Sequence, residues 1–475
     1  MSSLAAPGSA LDLAVQPAAR GGVSRWLLPN LSAAIFAVTL LEVLVVPGGG
    51  HALFRDSDTG WHIRNGQRIL ASRTIPTSDP FSFTRAGREW FAWEWLSDVA
   101  LGGADRAAGL PGVALLSAVL IALSIAGSTA LALRLGANFF AAAAGAGLLL
   151  GVTSFHWLAR PHLFSWLFGL AFLAIAEARR PLWLLPVLSI VWANAHGSFL
   201  LGPLILCAYM MWRWALVSLL ATFVNPYGWH LHQHVIAYLR NDYLMDHIAE
   251  FRSFDFHTSG AISVELFLLV AVAGALVAAL RRDWPVVAVT VVLLHAAVFS
   301  ARHLPMAALL LLPLALSRLS REKRWAYTDN LRQFDRPILG IVPAMIAVAL
   351  AAIPAQRAAF NPSTFPVAAA EYFANRTTAR VFTRDQWGGY LIYRFNGALP
   401  VFVDGRSDFY GSDFIERYAT LADVRPGWES VLDTERVSHV MAPPDRALAQ
   451  VLRLRPGWKV VRADSVAVIF ERVKS

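Results

Sequence analysis

Apolar runs of membrane-spanning length, separated by short polar or basic breaks, dominate the chain from Trp26 to about residue 355; beyond that the pattern becomes mixed. The first run, Trp26 to Val46, follows Arg20 and Arg25. It exceeds the roughly 7–15 residues of a signal-peptide core and lacks a clear small-residue cleavage site, so it reads as a retained anchor. Further spans are predicted near 111–133, 138–156, 161–178, 181–196, 198–212, 213–224, 262–280, 285–301, 304–317 and 337–355. Several fall short of the roughly 20 residues of a straight crossing. Residues 198–224 read as one long helix or two short ones, and the choice reverses the orientation of everything downstream. Charge decides it. With two helices and a cytoplasmic N-terminus, Arg134, Arg179, Arg180, Arg213, Arg281, Arg282 and the block Arg318, Arg321, Lys323, Arg324, Arg332 and Arg336 all fall in inner loops, as the positive-inside rule requires.

The expected fold is therefore an α-helical polytopic membrane protein with about eleven transmembrane helices and a small C-terminal α/β domain. Residues 1–22, rich in Ala, Gly and Pro, read as disordered. Residues 23–355 form the membrane domain with a long outer loop at 47–109, and 356–475 an outer-face domain. In that domain strands are expected near 380–383, 400–403, 437–441, 459–462 and 466–470. Gly388-Gly389 and Asp404-Gly405 read first as turn chemistry. With Arg406, Asp408 and Tyr410 they could also bind a polar acceptor, the lesser of the two readings.

Composition agrees with a bilayer as the main solvent: of 475 residues 56% are hydrophobic and only 15% charged, with mean hydropathy +0.49, far from soluble averages. The net charge of +9 is scattered between apolar runs rather than gathered on one soluble face, so it marks topology and not nucleic-acid binding. The only cysteine, Cys207, excludes an internal disulfide and a cysteine-based zinc site. No phosphate-loop or dinucleotide pattern is present, which disfavours nucleotide-driven chemistry.

On this topology the unusual polar residues collect on one outer face: Arg160-Pro161-His162, Asn194, His196, the loop 225–260, and Arg302 with His303. Glu42 and Glu265 lie near outer span ends. Because an unpaired charge at mid-bilayer costs at least roughly 2.5–3.5 kcal/mol, an outward-opening polar cavity is expected. A plainer reading has these side chains snorkelling to the headgroups. The run His230, His232, His234 alternates in a segment expected to be helical, where the rings would fan apart, so zinc is not favoured there. Glu250, Arg252 and His257 could contact an acceptor or be ordinary loop residues.

The outer loop carries Asp56-Ser-Asp58 followed by Trp61 and His62. Two carboxylates so spaced can hold a divalent cation, Mg or Mn, or accept a proton from a hydroxyl nucleophile. Residues 61–70 suit a short helix in the membrane interface. The fuller set, with Ile75-Pro76, Asp79-Pro80-Phe81, Trp90, Trp93-Glu94-Trp95, Arg160-Pro161-His162, Trp192-Ala-Asn194-Ala-His196, Asn225-Pro226-Tyr227, Ala301-Arg302-His303, Trp387-Gly388-Gly389-Tyr390 and Asp404-Gly405-Arg406, resembles a bacterial branch of the GT-C superfamily of membrane glycosyltransferases.

That resemblance implies a bacterial cytoplasmic-membrane enzyme with its C-terminal domain outside. It would move a sugar from a polyprenyl-phosphate carrier, with inversion, to a glycan, lipid or protein acceptor. Asp56 or Asp58 would be the general base. Trp61, His62, Glu94, Arg160, His162, Asn194, His196, Arg302 and His303 would bind substrate, with Arg160, His162, Arg302 and His303 the candidates to meet the carrier phosphate. A transporter or flippase, or a non-catalytic assembly subunit on the same scaffold, are the rival readings. The lack of an evident inverted repeat disfavours the transporter.

Overall fold

A computed structural model describes residues 30–45, 48–320 and 341–473. The N-terminal 22 residues, the start of the first span, the basic positions Arg321 to Arg336 and the start of the last span lie outside the described residues. Helix α1 spans Leu31–Val45; α2, Asp58–Ser72; and α3, Trp95–Leu135. The bundle continues through α4 (Phe139–Thr153), α5 (His162–Ala178), α6 (Leu184–Ala195), α7 (Leu201–Ala208) and α8 (Trp212–Ala221). Two polar-face helices follow, α9 (Trp229–Leu239) and α10 (Asp242–His247), then α11 (Ala261–Leu280), α12 (Trp284–Phe299), α13 (Leu304–Ser320) and α14 (Ile341–Ala355). Each of the eleven predicted spans overlaps one of these apolar helices, and among the described residues four helical segments are long and apolar enough to cross a bilayer by length and composition.

Local chemistry explains the breaks. In α3 the backbone leaves helical geometry at Ala108 and Gly109, with Gly109 at φ +63° just before Pro111, so the apolar half starts where the span was expected. The ambiguous stretch 198–224 is two helices: the chain turns between α7 and α8 with Met210 at φ +54°, and the two helices pack against each other. Asn138 caps α4, its Oδ1 accepting the Ala141 amide at 2.9 Å. Large apolar side chains are bare on the outside of the bundle, among them Leu269 (66% exposed), Met345 (66%) and Ile353 (70%), a surface that suits lipid rather than water. The end of the bundle opposite the cavity described below is tied by Arg318, which reaches Asp283 at 2.9 Å and Glu177 at 3.0 Å, with Tyr209 donating to Glu177 at 2.5 Å.

The tail after Ala355 carries a four-stranded sheet of order β1-β2-β4-β3: β1 Val381–Thr383, β2 His439–Ala442, β3 Trp458–Ala463 and β4 Val468–Arg472. β1 pairs parallel with β2, and the other pairs are antiparallel. The strand expected at 400–403 is reduced to Val401, bridged to Val381 and to Ser82 of the long loop. Pro400 has no N–H to give a ladder. Helix α15 (Val367–Ala370) precedes the sheet, and α16 (Asp385–Arg394) follows β1.

Two local expectations change. Gly388 and Gly389 sit inside α16, not in a turn. The interfacial helix expected at 61–70 is α2, but it is buried, packed against α3 and α16. Glycines permit this: a Cβ on Gly60 would lie 2.1 Å from the Gly389 carbonyl oxygen, and one on Gly66 only 1.7 Å from that of Asp98.

Candidate active site

The acidic pair is built by the start of α2. Asp56 Oδ1 accepts the Asp58 amide at 2.9 Å, satisfying one of the helix's free N–H groups, and Asp58 occupies the first turn, where the helix dipole favours a carboxylate. The loop bearing Arg160 is clasped on both sides of that pair: the Ala159 amide donates to Leu53 O at 3.0 Å, and Thr59 Oγ1 donates to Ala159 O at 3.0 Å. Arg160 therefore faces the acids, with Nη1 at 2.6 Å from Asp56 Oδ2, Nη2 at 2.9 Å from Asp58 Oδ2, and Nη1 at 3.0 Å from Glu250 Oε1. The snorkelling reading does not describe this arginine.

These residues line a cavity of about 960 Å³ at one end of the bundle, walled by the long loop, the 154–162 turn, the 238–251 segment, Arg302 and the tail domain. Asp58 is pressed against the tail: a Cβ on Gly405 would lie 1.8 Å from its Oδ1. Burial, reinforced by Asp56, pushes the Asp58 carboxyl well above its ordinary value despite Arg160. Burial also opposes charge on Glu250, but Arg160 and then Arg302 outweigh it and hold that carboxyl low.

Deeper in the cavity, His62 Nδ1 meets Asp98 Oδ1 at 2.6 Å, and Asn65 Nδ2 donates to the other Asp98 oxygen at 2.6 Å. Burial drives His62 well below its usual value, so its ring is neutral. Glu94 has as nearest basic groups His196 Nε2 at 3.5 Å and His62 Nε2 at 3.8 Å. Burial, then Asp98, push Glu94 up to about 8. A carboxyl raised in this way stabilises the fold fully below its unfolded value near 4.5, and that contribution is lost as pH rises through about 8. Thermal stability is therefore expected to fall across this window. Glu94→Gln should flatten the fall, and an unchanged slope in the variant would contradict the assignment.

The structure brings together at the cavity Asp56, Asp58, Trp61, His62, Glu94, Arg160, His162, His196 and Arg302. Asn194 and His303 are engaged elsewhere. Asn194 accepts from Trp95 Nε1 at 2.8 Å and donates to Val224 O at 2.9 Å, and His303 Nδ1 faces Ala296 O at 3.2 Å. Glu42 and Glu265 do not line the cavity either; Glu265 is exposed just past the first turn of α11, and Glu42 lies in the last turn of α1. So placed, each can reach the headgroup layer. The histidines of α9 do fan apart, His234 to Asp408 at 3.0 Å and His232 to Thr222 at 2.7 Å. Of the loop candidates Glu250 lines the cavity, whereas Arg252 and His257 are exposed outside its lining. Asp408, named with Arg406 as a possible acceptor contact, does line the cavity, and Asp98 joins the wall without a motif to announce it; it sits one helical turn beyond Glu94, a spacing that places both on one face.

The acidic pair as arranged does not fit a divalent ion. Asp56 has both oxygens committed, one to an amide and one to Arg160, and Asp58 gives one to the same guanidinium. Among the described residues no three His, Cys, Asp or Glu groups are spaced to hold a metal.

Arg406, read first as structural and only second as an acceptor contact, is a buried tie. It reaches Asp79 at 2.8 Å and Asp404 at 2.7 Å, with its guanidinium 4.6 Å from the Trp90 ring centre.

No family model and no curated protein matches the sequence. Solved structures do. The archaeal oligosaccharyltransferase AglB from Archaeoglobus fulgidus, in complex with an inhibitory peptide and a dolichol-phosphate, is similar at TM-score 0.59 and 12% identity, over 87% of this chain and 69% of that one. Its apo form gives TM-score 0.57 at 12% identity, over 86% and 69%. ArnT from Cupriavidus metallidurans bound to undecaprenyl phosphate is a looser match, TM-score 0.46 at 14% identity, over 93% and 98%. Together with the helix order, the oligosaccharyltransferase likeness shows the fold: a bundle of apolar helices arranged as in that membrane enzyme, followed by a small C-terminal α/β domain.

Proposed function

We propose that this chain is a glycosyltransferase of the bacterial cytoplasmic membrane, transferring a hexosyl or pentosyl group from a polyprenyl-phosphate donor to an extracytoplasmic glycan, lipid or protein acceptor. The observation that carries the reading is the cavity itself, which sets a half-buried acid pair together with Arg160 and Arg302 at one end of a GT-C bundle. The N-terminus is then cytoplasmic and the cavity and tail domain extracytoplasmic.

In a single displacement the acceptor oxygen bonds to the anomeric carbon as the bond from that carbon to the phosphate oxygen breaks. Its electron pair leaves on the phosphate, and the acceptor proton passes to a carboxylate. One displacement inverts the anomeric configuration. Asp58 is the preferred proton acceptor, since its Oδ1 makes no ion pair with Arg160. Arg302 suits the leaving phosphate. It lines the cavity, stacks 4.6 Å from the Phe251 ring centre and makes no direct ion pair among the described residues, Glu250 acting on it only from a distance, so its donors are available to an anion. In this reading Trp61, His62, Glu94, His162 and His196, which line the same cavity, meet the sugar.

A charge-assisted hydrogen bond contributes about 1.5–3 kcal/mol. Arg302→Ala should therefore raise KM for the lipid donor about 10- to 100-fold, with little change for the acceptor, measured by initial rates. The reading as a whole is tested with purified protein, a panel of labelled polyprenyl-phosphate sugars and envelope extracts as acceptors. A labelled glycoside should form; proteoliposomes that accumulate the lipid-linked sugar without any transfer would replace this reading with a transporter.

A further inference from the structure

One positive group in the cavity has three negative neighbours drawn from two distant parts of the chain. Arg160 Nη1 bridges Asp56 and Glu250 while Nη2 takes Asp58, and the side chain is only 20% exposed. A guanidinium is planar and always charged, and its fork of donors can serve several carboxylates at once. This is the work a divalent cation does when it gathers carboxylates from separate loops, but a hard cation needs about six oxygens close around one point. Here that point is filled by nitrogen, and the acid oxygens are held apart on either side of it.

Several constraints keep the guanidinium in place. The Ala159 backbone is pinned to Leu53 and Thr59, and the far side of the acid pair is closed by Gly405. Glu250 is fixed through its own backbone, whose carbonyl accepts from Ser300 Oγ at 3.0 Å. Glu250 is thereby tied to the turn that bears Arg302, so the same guanidinium couples the acid pair to the residue assigned to phosphate.

We infer that Arg160 is a built-in cation: it positions Asp56, Asp58 and Glu250 as a bound divalent ion would and leaves no room for one, so the acid pair works without metal. The catalytic part of this statement rests on the glycosyltransferase reading; the cation part does not.

Manganese(II) in detergent solution, followed by the electron paramagnetic resonance signal of the free ion, separates the two. Wild type should take up no stoichiometric Mn2+ that depends on Asp56. Arg160→Ala, which leaves three carboxylates around an emptied centre, should gain one Mn2+ per chain, and Asp56→Asn added to it should abolish that gain. Arg160→Gln, which keeps side-chain bulk, gives the same comparison if the alanine variant does not yield a monodisperse sample.

Stoichiometric Mn2+ on wild type that Asp58→Asn removes would overturn the inference, as would failure of both Arg160 variants to gain an ion. Transfer by wild type should also survive prolonged EDTA treatment with less than twofold loss. Activity lost to EDTA and restored by Mn2+ would sink the inference and leave the glycosyltransferase reading standing. The expected Mn2+ pattern in a protein that transfers no sugar would do the reverse.

Discussion

Asp58→Asn is expected to lower the transfer rate by about 10²–10⁴-fold, the usual worth of a positioned general base, with KM for the donor little changed. The two acids are not equivalent. Asp56 spends one oxygen on the Asp58 amide and the other on Arg160, and an asparagine there keeps an oxygen that can accept the amide. Its loss should be smaller and should act through the placement of Arg160. Asp58 gives only Oδ2 to Arg160, while Oδ1 lies toward Gly405 at the cavity wall. Burial and Asp56 raise the Asp58 carboxyl above the ordinary value of 3.8, so a proton taken from the acceptor is held more firmly than an exposed aspartate would hold it. The sign for pH follows: the basic form gains as pH rises through the raised value, and the wild-type rate should climb over a range above that of a free aspartate. Initial rates of the purified variant against wild type decide the matter. Full activity in Asp58→Asn would remove the acid from its assigned role.

The features that a bilayer dictates were readable in the chain, and those set by tertiary contact were not. Span positions follow from length and hydropathy, and the split at Met210 was reached through arginine placement without any local turn signal. The strands 381–383, 439–442, 458–463 and 468–472 fall close to their apolar runs. The Asp56, Asp58 and Arg160 grouping was legible only as residues sharing one face; sequence could not tell a snorkelling arginine from one clasped by Leu53 and Thr59 through Ala159. The same limit misplaced Asn194, Glu42 and Glu265, since a polar residue near a helix end looks alike whether it points inward or out. Gly60, Gly66, Gly389 and Gly405 are required by neighbours far along the chain, and nothing local separates such a glycine from a turn. The His62 to Asp98 bond joins residues 36 apart, which no spacing rule connects.

The tie between long loop and tail yields the largest expected loss of stability. Arg406 is 2% exposed and bridges Asp79 to Asp404; Asp79 in turn accepts the Phe81 and Ser82 amides at 3.1 and 3.0 Å. Removing the cation leaves two carboxylates buried and uncompensated, a change that costs about 3–5 kcal/mol where a buried pair is broken from one side. Arg406→Ala should accordingly lower the thermal unfolding midpoint in detergent by several degrees or more. Arg406→Lys should recover only part, because an ammonium keeps the charge without the fork that spans both acids. The loss should reach the cavity as well. Gly405 precedes Arg406 and touches Asp58, and Asp408, two residues beyond, accepts from Trp93 Nε1 at 3.2 Å and meets His234 at 3.0 Å. Loosening Arg406 thus releases the wall against which the proposed base is held, and transfer should fall even below the new midpoint. The triple replacement Asp79→Leu, Asp404→Leu, Arg406→Met separates charge from shape: with no charge left unpaired it should regain much of the stability but not the activity, because the turn that fixes Gly405 would have lost its anchor. Unfolding midpoints that coincide for wild type and Arg406→Ala would show that the loop and tail are held by their apolar contacts instead.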